Sequence, residues 1–195
     1  MNNEEYLKLE KKLKEIPGLS KRQIQKIADF IIDKKTEEIN EIVQTILEYK
    51  TNIKKCINCN YVSKDELCKF CSDSSRENIL LVVEKSVDVD KFEELNSYKG
   101  KYFVIDDVWK KQKEKVQDKA LEKLLSIANK YKEITLALSS SFDGQFSMIY
   151  LQKMLKEKAK FENVYQLAIG IPIGASVEYV DNVTLKQSLI KKVKM

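Results

Sequence analysis

All four cysteines of the chain lie in one short segment, with the spacing of a metal site. Cys56 and Cys59 form one C-x-x-C pair, and Cys68 and Cys71 form a second pair after an eight-residue spacer. Each pair can present two thiolates to one ion, and four sulfurs complete a closed tetrahedral zinc site without a position for substrate. We therefore expect one structural Zn²⁺, with paired disulfides and a rubredoxin-type iron centre as the alternatives.

Acidic side chains stand at or just beyond the ends of three predicted strands. Glu84 ends the first strand, Asp106 and Asp107 end the second, and Asp143 follows the third. Such groups converge on one crevice of a parallel sheet, where carboxylates can hold Mg²⁺ for phosphoryl transfer. The alternative is that they cap the helices that follow, as Asp143 would before a helix. Gln145 stands where a second acid would complete an Asp-x-Asp pair, so we do not favour a catalytic metal site.

A tight turn containing Gly18 joins two predicted helices, and N–H groups at the start of the second helix point outward. Such a helix start can hold a phosphate without reading base sequence. Arg22 and Lys26, one turn apart, share a face of this helix, and Lys11 and Lys21 flank them. The alternative is an ordinary helical hairpin with solvated lysines.

The composition narrows the possible functions. The 195 residues include no histidine, which excludes Ser-His-Asp and Cys-His catalysis and imidazole metal ligands. The net charge of +5 is too small by itself to indicate a nucleic-acid partner. The longest fully apolar stretch, Ile79 to Val83, is far too short to span a bilayer, and the acidic start is unlike a signal peptide. We expect a soluble intracellular protein.

The elements that position these groups follow from apolar spacing. Residues 4–53 are predicted to be mostly helical, with Ser20 and Gln23 as a capping box for the second helix and a third helix from Thr36. Beyond residue 78, short buried-type strands alternate with helices, which predicts a mostly parallel sheet. The predicted strands are 79–83, 102–105, 134–138 and 164–169, and the predicted helices between them are 88–95, 116–131 and 146–155.

The order of these motifs resembles the bacterial recombination mediator family RecR across essentially the whole chain. The family's hairpin is similar to Ile16-Pro17-Gly18, its zinc knuckle to the four cysteines, and its Val-Val-Glu strand to residues 82–84. Its C-terminal pattern is similar to residues 170–174, 178–181 and 184–185.

This resemblance implies a Toprim-type middle domain that contacts proteins and has no established catalysis. It also implies ring-like homo-oligomers, dimers or tetramers, that clamp single- or double-stranded DNA irrespective of sequence. A RecO-like partner, sometimes with a RecF-like one, would help to load RecA on single-stranded DNA. The family's DNA-contacting residues fall on Arg22 and Lys26, with Gly18 and Lys21 in the same expected DNA site. The acids implicated in RecO contact fall on Glu84 and Asp143.

Two residues and one loop depart from the family pattern. Ser20 replaces the second glycine of the hairpin, and a non-glycine residue at positive φ would cost roughly 1–2 kcal/mol. Gln145 replaces one carboxylate of the Glu-Gly-Glu motif, which reads Asp143-Gly144-Gln145 here. The loop after the second strand, residues 106–115, is short and highly charged.

We therefore predict a multi-part α+β protein. The expected parts are a helix-hairpin-helix region (1–54), a four-cysteine zinc finger (55–76), a Toprim-like α/β domain (77–170) and a C-terminal arm (171–195). The expected function is that of a non-enzymatic DNA clamp in recombinational DNA repair, located in the cytoplasm with the nucleoid and away from membranes. The alternatives are a Mg²⁺-dependent Toprim nuclease or primase-like enzyme that uses Glu84, Asp106 and Asp143, and a pure protein-interaction module.

Overall fold

The computed structural model of the chain describes residues 3–106 and 119–194. The chain divides into two compact units, Met1–Ile53 and Lys54–Met195. In the described ranges, no helix has the length and apolar character needed to cross a membrane.

The first unit consists of three helices, as the apolar spacing predicts. They are α1 (Glu4–Leu13), α2 (Lys21–Asp33) and α3 (Thr36–Asn52). Helices α1 and α2 pack on each other and bury Tyr6, Ile24 and Ala28. No residue of α3 is buried, although its sequence is amphipathic.

The second unit begins with a small antiparallel pair, β1 (Lys54–Lys55) and β2 (Val62–Ser63), and the short helix α4 (Lys69–Ser72). The remaining elements alternate along the chain as β3 (Ile79–Val83), α5 (Ser86–Glu94), β4 (Lys101–Val104), α6 (Lys119–Ile127), β5 (Glu133–Ala137), α7 (Phe142–Lys158), β6 (Val164–Gln166) and α8 (Asn182–Ile190).

The four long strands form one parallel sheet with the order β4-β3-β5-β6. This confirms the predicted parallel sheet and the mixed α+β class. The apolar strand β3 lies between β4 and β5 and is buried along most of its length, because helices cover both faces of such a sheet. The chain leaves β3 towards β4 and then returns to β5 on the other side. The carboxyl ends of β3 and β5 therefore flank a topological switch point, where crevices form in open α/β sheets.

Several boundaries differ from the predicted ones. Helix α7 begins at Phe142 instead of 146, because the Ser141 hydroxyl caps it by accepting the Gly144 N–H at 3.2 Å. Strand β6 ends at Gln166 instead of 169, and α8 in the C-terminal arm was not expected. Asp107, most of the 106–115 loop and the first residues of the predicted 116–131 helix lie outside the described residues.

Candidate metal centre and contact surfaces

The four cysteines converge on one point, as their spacing predicts. Their Sγ atoms all lie within 4.8 Å of one another, and the Sγ atoms of Cys59 and Cys68 are 3.5 Å apart. Four sulfurs placed about 2.3 Å from one ion would stand roughly 3.8 Å apart, so the cluster fits a tetrahedral metal site. Cys56, Cys59 and Cys68 are buried, and all four are free cysteines. Within residues 3–106 and 119–194, this is the only such group of potential metal ligands.

The close approach of the sulfurs affects the thiols of this cluster unequally. Contact with the Cys59 thiol lowers the pKa of Cys68, and the same contact raises the pKa of Cys59. The backbone N–H of Cys68 donates to the Cys56 sulfur at 3.4 Å. A soft divalent ion prefers thiolate ligands, and N–H donors to the sulfurs tune such sites.

The turn that carries the first cysteine pair is tied to helix α6. The Cys56 carbonyl accepts the Asn60 N–H at 3.1 Å and the Lys123 ammonium at 3.2 Å. The same ammonium donates to the Asn60 side-chain oxygen at 2.7 Å. Asn60 has φ +63°, a left-handed conformation that asparagine tolerates better than most residues. Sequence reasoning could not predict this link, because Lys123 lies far along the chain.

Arg76 fastens the second cysteine pair to the sheet. Its guanidinium stacks on the Phe70 ring, 4.8 Å from the centroid, and forms a bidentate ion pair with Glu93 at 2.9 and 2.7 Å. The Tyr102 hydroxyl donates to the same carboxylate at 2.5 Å. Hydrogen bonding to Glu93 raises the pKa of Arg76. Planar, stacked and bidentate contacts of this kind suit arginine and not lysine.

The turn between α1 and α2 has the conformation that its sequence requires. Gly18 has φ +85°, with open space where a side chain would be. Ser20 has φ −76°, so the serine at the family's second glycine position is not strained. The predicted capping box is present, because the Gln23 N–H donates to the Ser20 hydroxyl at 3.3 Å and the Gln23 side chain accepts the Ser20 N–H at 2.8 Å. Arg22 and Lys26 are both exposed on α2, as is Lys21.

The predicted acids that the structure describes, Glu84, Asp106 and Asp143, do not form one metal-binding group. Glu84 lies just after β3, and its carboxylate accepts the Ser139 N–H at 3.2 Å. Asp106 pairs instead with Lys55 at 2.6 Å. Asp143 lies inside the first turn of α7, and the helix cap is Ser141, so the alternative interpretation that Asp143 caps this helix is wrong. Glu84 and the segment that carries Asp143 nevertheless meet at the switch point between β3 and β5.

Two features beside these acids were not expected from the sequence. A Cβ on Gly144 would overlap the Ser139 carbonyl, so the glycine allows the loop after β5 to lie against the start of α7. Phe142 is 96% exposed although it is aromatic and immediately precedes Asp143. A large apolar side chain left in solvent is informative when it adjoins charged groups of a contact surface. The only indication of this exposed ring in the sequence was the position of Phe142 directly before Asp143 and Gly144.

Comparisons with known proteins match both ends of the second unit. The Toprim domain family matches residues 78–168, and the family described as RecR, C-terminal matches residues 170–192. The recombination protein RecR of Mycoplasmopsis pulmonis is 37% identical and aligns over 90% of this chain and 91% of its own length. RecR of Finegoldia magna is 32% identical over 93% of this chain and 92% of its own length, and RecR of Ureaplasma parvum is 34% identical over 94% and 92%.

Proposed function

Because the chain belongs to the RecR family, we propose that it is a DNA-binding mediator of recombinational DNA repair. The relatives that cover about nine-tenths of this chain carry the name recombination protein. The observation that supports the DNA-binding part is the exposed basic start of α2, which follows a glycine turn and faces solvent with Lys21, Arg22 and Lys26. In this proposal the protein acts without catalysis and in the cytoplasm, on the nucleoid.

The proposed DNA site is the α1–α2 turn with Gly18, Lys21, Arg22 and Lys26. Exposed N–H groups and flanking cations favour phosphate, which supports binding to any sequence in single or double strands. The capping box already satisfies the Gln23 N–H, so the N–H groups of Lys21 and Arg22 are the ones that point towards a bound phosphate.

The proposed cofactor is one structural Zn²⁺ held by Cys56, Cys59, Cys68 and Cys71. When bound, it supplies four metal–sulfur bonds and no reactive position. The alternative iron centre would use the same four sulfurs. The proposed parts of the chain are the hairpin region 1–54, the zinc finger 55–76, the Toprim-like domain 77–170 and the arm 171–195.

The proposed protein-contact surface lies at the switch point between β3 and β5. It consists of Glu84 and Asp143, extended by the exposed ring of Phe142. Two carboxylates beside an aromatic side chain suit a partner that presents basic residues around an apolar pocket. We propose that the partner bound by this surface is a RecO-like protein, in some cases with a RecF-like protein, and that the chain helps it to load RecA on single-stranded DNA. We also propose that the chain forms ring-like homo-oligomers.

The DNA-binding part is tested by the double substitution Arg22→Ala and Lys26→Ala. Affinity for several unrelated DNA sequences is measured as a function of salt concentration. We expect weaker binding of all sequences alike and a slope of log affinity against log salt that is smaller by about one unit per lost phosphate contact.

The matched control is Lys153→Ala with Lys156→Ala, which removes the same charge from exposed side chains of α7. Equal loss in both variants would mean that net charge alone, and not the turn, attracts DNA. An unchanged salt slope in the first variant would contradict the proposed site. Mg²⁺-dependent cleavage or nucleotide incorporation by the wild-type chain would contradict the non-catalytic role.

A further inference from the structure

The cysteine knuckle, defined here as residues 54–72, lies against the outer edge of strand β4. Strand β4 is the first strand in the sheet order, so one side of its backbone has no neighbouring strand. Exposed edges of this kind pair readily with other strands, and proteins commonly cover them.

Both edge-facing groups of Val104 are occupied by the knuckle. The Val104 N–H donates to the Cys59 carbonyl at 2.8 Å, and the Val104 carbonyl accepts the Asn60 side-chain amide at 3.0 Å. The next residue faces inward, because the Ile105 N–H donates to the Val83 carbonyl of β3 at 3.0 Å. At the other end of the strand, the Arg76 guanidinium donates to the Gly100 carbonyl at 2.8 Å.

The residue that covers the edge, Cys59, is also one of the four proposed metal ligands. The Cys59 sulfur belongs to the four-sulfur cluster, and its own carbonyl binds Val104. Asn60, the next residue, supplies the second bond to the edge. Fixing the Cys59 sulfur therefore helps to fix both contacts with Val104, whereas Phe70 and Lys123 hold other parts of the knuckle against the domain.

We propose that the metal-bound knuckle is a detachable cap for the β4 edge, with Asn60 and Arg76 as its positioning residues. When metal is lost, the two contacts with Val104 open and the cap releases this end of β4.

The first arm of the test is Asn60→Gly in the full-length, zinc-loaded chain. Glycine adopts φ +63° freely, so the substitution removes the side-chain bonds to the Val104 carbonyl and from the Lys123 ammonium without straining the turn. The Val104 N–H keeps its own bond to the Cys59 carbonyl, but the knuckle loses one of its two contacts with Val104, so exchange of the Val104 amide, followed by NMR, should become about fivefold faster. Zinc content and exchange at Ile105 should not change.

The matched control is Asn96→Gly. Asn96 also has positive φ, at +53°, and its side chain bonds only to the nearby Glu94 carbonyl. This variant should leave exchange at Val104 unchanged. An effect of Asn96→Gly equal to that of Asn60→Gly, or no effect of Asn60→Gly, would contradict the assigned role of Asn60.

The second arm removes zinc from the wild-type chain with a chelator. We expect the Val104 amide to lose protection while Ile105 keeps it. Two results would overturn the proposal: Val104 stays protected without metal, or Val104 and Ile105 lose protection together. Both arms rest on the proposed metal site but not on DNA binding, so their failure is distinguishable from failure of the proposed DNA-binding role.

Discussion

Carboxylates at the end of a strand can bind either a partner protein or a metal ion, and a substitution of Glu84 distinguishes these two functions. Its carboxylate accepts the Ser139 N–H, and Asp106 is engaged elsewhere with Lys55. A second acid of the Asp-x-Asp type is replaced by Gln145. These contacts favour a protein-contact surface.

Changing Glu84 to Gln should therefore weaken capture of a RecO-like partner by about 1.5 kcal/mol or more, because an interfacial charge pair is lost. Affinity for DNA should stay the same. Binding of each ligand is measured by titration calorimetry, with Glu94→Gln on the exposed side of α5 as the control. A Mg²⁺-dependent activity that disappears with Glu84 would instead identify a catalytic metal site.

Residue spacing along the chain predicted the cysteine cluster, because both C-x-x-C pairs are local patterns. The same reasoning could not find Lys123 or Arg76, whose partners are far away in sequence and are set by the packing of the sheet. It also could not show that Phe142 is left in solvent, since an aromatic residue at a helix start is usually expected to be buried.

Among the secondary-structure elements, those with strong local signals were predicted best. Strands β3 to β5 are runs of apolar residues between helices, and the structure places them within one residue of the predicted bounds. Helix α7 was predicted to start four residues late because its first turn is polar apart from Phe142. Helix α8 was missed because its apolar residues do not recur at helical spacing along one face, unlike those of α3.

The turn between α1 and α2 allows a direct test of its backbone conformation. Gly18→Ala should lower the free energy of unfolding by about 1–2 kcal/mol, because alanine is strained at φ +85°. A Cβ at position 18 would meet no other atom, so the loss of stability reflects the backbone conformation alone. The free energy of unfolding is measured by urea denaturation followed by circular dichroism.

The control for this change is Gly170→Ala. This glycine is also exposed and has open space around it, but its φ is not in the left-handed region. It should be neutral or slightly stabilising, because alanine restricts the unfolded chain. Equal effects of the two substitutions would mean that the turn does not depend on a left-handed residue.

For the whole molecule, the exposed face of α3 bears on assembly. None of its residues is buried, although it carries Ile42, Val43, Ile46 and Leu47. An apolar face of this kind in solvent marks a contact site in many proteins. We expect the native mass to be two or four times 22.7 kDa, both free and with DNA bound.

The native mass of the assembly is measured by sedimentation velocity for the wild type and for the variant Ile46→Lys. The substitution should shift the chain towards a single subunit, because it puts a charge into the apolar contact. Asn40→Lys adds the same charge at another exposed position of α3 and should leave the mass unchanged. A wild-type mass of one subunit would contradict the ring-like assembly.

The two arginines of the chain differ in their exposure to solvent, and therefore only Arg22 is open to chemical modification in the folded chain. Arg76 is stacked between rings and paired with Glu93, with only 15% of its side chain accessible, whereas Arg22 is exposed. A dicarbonyl reagent selective for guanidinium groups would therefore label the native chain at a single position. The mass that the reagent adds to each chain shows whether Arg22 is covered, for example by DNA. This measurement needs no substitution in the amino-acid sequence.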